Sequence, residues 1–99
     1  MITFDEKIKG TVPSLVVFEK AESNENIKIE ELTDFMENHY GSRLNILKID
    51  ATHDQRLRNF YDIKFLPTWI LFKEGEELAR ENGFKTKAQL MEMVQTSMP

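Results

Sequence analysis

Ninety-nine residues with a formal charge of −4 and 40% hydrophobic side chains predict a single soluble domain (1–99) able to bury its own core. The absence of cysteine excludes disulfides, thiolate catalysis, iron–sulfur clusters and cysteine-type zinc sites from this chain. No apolar run approaches the roughly 20 residues of a membrane span, and 17 acidic against 13 basic side chains argue against a nucleic-acid surface.

The N-terminus, Met1 to Lys7, lacks the apolar core of a signal peptide, so a cytoplasmic location without membrane association is expected. A short extended piece precedes Phe4 and Ile8, whose spacing of four fits one helical turn, broken by Gly10. Pro13-Ser14 leads into Leu15-Val16-Val17-Phe18, a β-branched apolar run that reads as a central buried strand. Glu19 to Asn26 is the most polar stretch, a loop holding Ser23, Asn24 and Asn26 as candidate helix caps. Ile29, Leu32, Phe35, Met36 and Tyr40 then form one helical stripe, with Gly41 as its stop. The acidic residues Glu22, Glu25, Glu30, Glu31 and Asp34 fall in the loop and first turns of this helix, where carboxylates suit the helix dipole on a solvated face.

Arg43 to Asp50 reads as the next strand, with Leu44 and Ile46, and Lys48 as a candidate third, facing one way, and Asn45, Leu47 and Ile49 the other. Thr52 and Gln55 have capping-box spacing and predict a short helix that buries Leu57 and either Phe60 or Tyr61. Pro67 opens Thr68-Trp69-Ile70-Leu71-Phe72, a run without clean alternation that predicts a strand buried on both faces, Trp69 included. Glu74-Gly75 is a hairpin turn, and Glu76 to Glu81 returns as a polar edge strand with Leu78 inward. Gly83 punctuates. Thr86 and Gln89 form a second capping box, ahead of a helix with Leu90, Met93 and Val94 inside. The order β(α)–β–α–β–α–β–β–α predicts an α/β fold with a central mixed sheet flanked by helices on both faces. His39 and His53, fourteen residues apart, form no metal-ligand pair, so no metal and no cofactor are expected.

With these elements in this order, the sequence resembles the thioredoxin family along nearly its whole length. The resemblance rests on Pro13 to Phe18, on Leu44 to Asp50, on Phe60-Tyr61-Asp62-Ile63 followed by Leu66-Pro67-Thr68, and on Phe72-Lys73-Glu74-Gly75-Glu76 followed by Gly83. It implies a thioredoxin fold and a cis Leu66–Pro67 bond facing the start of the helix after the first core strand. It also implies that Ser23, Asn24, Glu25 and Asn26 stand where the family carries Cys-x-x-Cys, Glu22 where it carries tryptophan, and Val17 where many members carry a buried acid.

Disulfide exchange needs a thiolate to attack and a second thiol to resolve the mixed disulfide. A helix start lowers a thiol's pKa usefully, but a serine hydroxyl begins far too high. No catalytic residue is therefore assigned. The resemblance implies instead a groove framed by Ser23 to Asn26, Leu66, Pro67, Gly83 and Phe84, binding a protein or extended peptide through strand-like hydrogen bonds that use no thiol. The alternatives are a structural or oligomer-forming subunit with a degenerate groove, a chain that carries the family's redox label without its chemistry, and a glutathione-binding enzyme using Ser23. The last would need a second helical domain for which 99 residues leave no room.

Overall fold

The apolar runs at Leu15–Phe18 and Trp69–Phe72 become the two inner strands of a four-stranded mixed sheet. The computed structural model describes residues 4–20 and 26–97. Along the chain, α1 (Phe4–Ile8) precedes β1 (Ser14–Glu19), α2 (Asn26–Tyr40), β2 (Asn45–Asp50), α3 (Gln55–Phe60), β3 (Thr68–Lys73), β4 (Glu76–Asn82) and α4 (Lys87–Ser97). The sheet order is β2-β1-β3-β4, with β1 parallel to β2 and antiparallel to β3, and β4 antiparallel to β3. The extended piece expected before Phe4 lies outside the described residues. Among the described residues no helix is long and apolar enough to cross a membrane.

Strand geometry sends alternate side chains to opposite faces, so an inner strand that is apolar throughout needs a cover on each side. Leu15, Val17, Trp69 and Leu71 pack with Ile29, Met36 and Tyr40 of α2 and Leu90, Met93 and Val94 of α4. Val16, Phe18, Ile70 and Phe72 pack on the other face with Ile8 of α1, Ala51 and Ile63, flanked by Phe4, Leu57 and Tyr61. Each fully buried side chain of this kind contributes roughly 1.5–3 kcal/mol of transfer free energy.

The turns follow local chemistry. Gly41 takes φ +56, and Arg43 closes the end of α2 by donating to the carbonyls of Tyr40 and His39. A 3-10 turn over Gly41–Arg43 therefore occupies the place where the strand was expected to begin, and β2 starts at Asn45. Glu74 and Gly75 both have positive φ, 54° and 83°, the pattern of a tight hairpin turn. Their N–H groups donate to the carbonyls of Gly10 and Ile8, tying the hairpin to the end of α1.

Two expectations are corrected. Leu78 is 40% exposed, because a bulge opposite Leu71/Phe72 inserts one residue into β4 and turns Ala79 inward instead. The cap of α3 is Asp54, whose carboxylate accepts from Leu57 N–H, not Thr52. Of the two alternatives expected to accompany Leu57, Tyr61 is the one that packs inward, and Phe60 is 76% exposed. Glu30 and Glu31 lie exposed in the second turn of α2, within the solvated face expected, and Glu30 pairs with Lys48 of β2 at 2.8 Å. The expected box at Thr86 does form: Thr86 N–H donates to Gln89 Oε1 at 2.9 Å and Gln89 N–H donates to Thr86 Oγ1 at 3.1 Å.

Replacing Thr86 by Ala removes one acceptor at the start of α4, and urea unfolding is expected to show a loss of about 1 kcal/mol. A second prediction concerns Glu19, at the end of β1. Burial pushes its carboxyl above the usual value near 4.5, Lys48 opposes this, and Glu30 and Asp50 add to it. A carboxyl whose pKa is raised on folding opposes the folded state once it is charged, so its contribution is lost as pH rises from the unfolded value through the folded one. Glu19→Gln is therefore expected to be more stable than wild type at pH 7, with the difference closing as pH falls below about 4.5. Parallel urea titrations at pH 7 and pH 4 check both sign and window.

Candidate functional site

Strand register decides where the chain ends of the sheet meet. Phe18 lies opposite Thr68, and Thr68 lies opposite Asn82. Pro67 therefore sits beside the end of β1, from which the chain leads to the start of α2, and beside the end of β4, from which it leads to Gly83 and Phe84. The Leu66–Pro67 peptide bond is cis.

Three hydrogen bonds hold this corner. Gly83 N–H donates to the Pro67 carbonyl at 2.8 Å, and the Gly83 carbonyl accepts from the Trp69 indole N–H at 3.1 Å. Gly83 makes both bonds at φ +85, a backbone state that side chains beyond Cα disfavour. Thr68 Oγ1 lies 2.5 Å from the Phe65 carbonyl and 3.1 Å from the Asn82 side-chain amide. Its single proton serves the carbonyl, which fixes the bend before Pro67.

The resulting shelf is partly exposed. Among the described residues, the Leu66 N–H and C=O take no backbone partner. Pro67 is buried and Leu66 half-buried. Phe65 is 61% exposed and Phe84 46%, whereas Phe18 and Phe72 are at most 2% exposed. The structure thus brings Leu66, Pro67, Gly83 and Phe84 together and adds Phe65, which sequence reasoning missed because it opens an apolar run that reads as core.

Of the residues standing in place of the cysteine motif, Ser23, Asn24 and Glu25 lie outside the described residues, as does Glu22. Asn26 is the first residue of α2, half-buried, and its buried Oδ1 has no hydrogen-bond partner among the described residues. Val17 is fully buried in the core. Two residues on, the same face of β1 carries Glu19, the carboxyl that burial pushes up. It was legible only as a loop residue.

Trp69 is fully buried, as its apolar neighbours implied. Its bond to Gly83 makes it the anchor that holds the shelf against the core. Among the described residues no group of three or more His, Cys, Asp or Glu could hold a metal ion. His39 stacks on Phe35 with ring centroids 5.6 Å apart, and His53 is exposed.

Residues 3–96 match the family model described as Thioredoxin. The thioredoxin of Bacillus subtilis is 36% identical over 66 residues, which cover 67% of this chain and 60% of that protein. The thioredoxin of Staphylococcus epidermidis is 30% identical over 91 residues, covering 92% of this chain and 86% of that protein. This chain thus spans three fifths of the B. subtilis relative's length. The crystal structure of a designed protein superposes with a TM-score of 0.86 at 19% identity, covering 100% of this chain and 90% of that one, which bears on the fold alone. The chain belongs to the thioredoxin family, as a member without the cysteine pair.

Proposed function

We propose that this chain is a redox-inactive thioredoxin-like module that binds an extended protein or peptide segment along the shelf at Leu66-Pro67. The observation that carries the reading is the pairing of a missing chemistry with an open binding edge. The chain has no thiol to attack or resolve a disulfide, yet among the described residues the Leu66 N–H and C=O take no backbone partner, and the rings of Phe65 and Phe84, next to Leu66 and Gly83 in the chain, are exposed. An extended segment laid beside Leu66 would gain strand-like main-chain hydrogen bonds, and these need no side-chain chemistry. Covering Phe65 and Phe84 would add on the order of 1–2 kcal/mol for each ring.

Capture from the lysate of the native host, with wild type and Leu66→Glu in parallel, tests this. Leu66 also packs against the core beneath it, so the exposed pair Phe65→Ala/Phe84→Ala is the companion variant. Circular dichroism establishes that each folds. The expected result is a protein retained by wild type and lost from both folded variants, with no insulin reduction above the uncatalysed rate. A partner retained equally by all three would place binding on another surface and overturn the proposal.

A further inference from the structure

On the face of the sheet that α1 and α3 cover, these two short helices leave a surface cavity of about 420 Å3. Phe4, Phe60 and Tyr61 supply its walls, with ring centroids 5.4 Å apart for Phe4 and Tyr61 and 4.8 Å apart for Phe60 and Tyr61. Phe60 is the most exposed large apolar side chain among the described residues, at 76%. An exposed ring set against a second ring gains little from burial within this chain, but it offers a π surface to a ligand.

Two carboxylates, Asp5 and Asp54, line the same cavity. Asp5 Oδ1 accepts from the Tyr61 hydroxyl at 3.2 Å, and Asp54 Oδ1 accepts from Leu57 N–H at 3.0 Å. Burial first, then the bond to Asp5, pushes the Tyr61 hydroxyl up to about 12, so it remains a donor at neutral pH. Each carboxylate still has accepting capacity, since two oxygens offer about four lone-pair sites. The one cation in the lining is Arg56. Among the described residues no ion pair involves Asp5, Asp54 or Arg56. The cavity lining therefore carries two carboxylates outside any such ion pair, each with accepting capacity left, against one guanidinium, beside aromatic walls.

We propose that this cavity receives the guanidinium side chain of an arginine in a partner polypeptide. A guanidinium is planar, stacks on aromatic rings and donates in a fork that matches a carboxylate, whereas an ammonium is a strongly hydrated point charge. The arginine stem would lie along the Phe60 ring while the charged head meets the carboxylates. The charge balance selects a cation over an anion, and the aromatic walls select the guanidinium over the ammonium. Arg56 acts as an internal competitor of like charge. The site is independent of the Leu66-Pro67 shelf.

The test uses the full chain and blocked tripeptides, acetyl-Gly-X-Gly-amide, with X as arginine, citrulline, lysine or glutamate, followed by backbone amide shifts in NMR. The arginine peptide is expected to move the amides of Asp5, Phe60 and Tyr61 saturably, the citrulline peptide to leave them unmoved, and the lysine peptide to bind more weakly. Phe60→Ala, a change at an exposed position, is expected to weaken binding about fivefold, the loss of one cation–π contact of roughly 1 kcal/mol. Arg56→Gln is expected to tighten it. No saturable shift at these residues would overturn the proposal. So would equal binding of citrulline, which would mean apolar adsorption only. Equal or tighter binding of lysine would remove the guanidinium assignment, and binding of the glutamate peptide instead would make this an anion site on Arg56.

Discussion

The bond from the Trp69 indole to the Gly83 carbonyl ties the surface of this protein to its core. Trp69 has no freedom of its own, because β3 is covered on one face by α2 and α4 and on the other by α1 and α3. Its N–H, buried with the ring, needs an acceptor, and Gly83 supplies one. Gly83 in turn donates to the Pro67 carbonyl. Two hydrogen bonds therefore connect a strand buried from Thr68 to Phe72 with the backbone of Pro67, next to Leu66. For the proposed binding, such anchoring would be an advantage, since a backbone already held in place loses less entropy when a partner docks.

This arrangement separates two properties that the thioredoxin family combines. Thiol chemistry depends on two side chains at the start of a helix, and this chain has neither. The shelf depends on backbone geometry, on the register Phe18–Thr68–Asn82, and on a tryptophan in the core. Losing the first leaves the second intact, because no bond that holds the shelf passes through a sulfur atom. Exposed Phe65 and Phe84 flank the edge with apolar surface that the fold itself does not bury.

The two inner strands, β1 and β3, were legible as uninterrupted apolar blocks, because burial on both faces erases alternation. The cap at Thr86 and Gln89 was legible because both halves of its chemistry lie within three residues. What remained hidden involved competition between neighbours or tertiary placement. Thr52 and Asp54 are both competent caps two residues apart, and the geometry of the turn favoured Asp54. Leu78 reads as inward by strict alternation, but a bulge shifts the phase and no residue in β4 announces it. Phe60 and Tyr61 are adjacent, and the helix direction turns only the second inward. Phe65 looks like core until the bend before Pro67 throws it outward. Cysteine absence and the place of Leu66, Pro67, Gly83 and Phe84 came from residue identity and family likeness, whereas the role of Trp69 as anchor needed the structure.

The central claim is that a backbone edge at Leu66, and not a side-chain reaction, is what this domain offers a partner. Amide hydrogen exchange at Leu66, followed by NMR in the free protein and with a peptide selected for binding from a random library, reads that edge directly. The account predicts an unprotected Leu66 amide in the free protein that becomes strongly protected in the complex, together with shifts at Gly83 and Phe84. An equally tight complex in which the Leu66 amide stays as exposed as before, with protection arising on another surface, would contradict it.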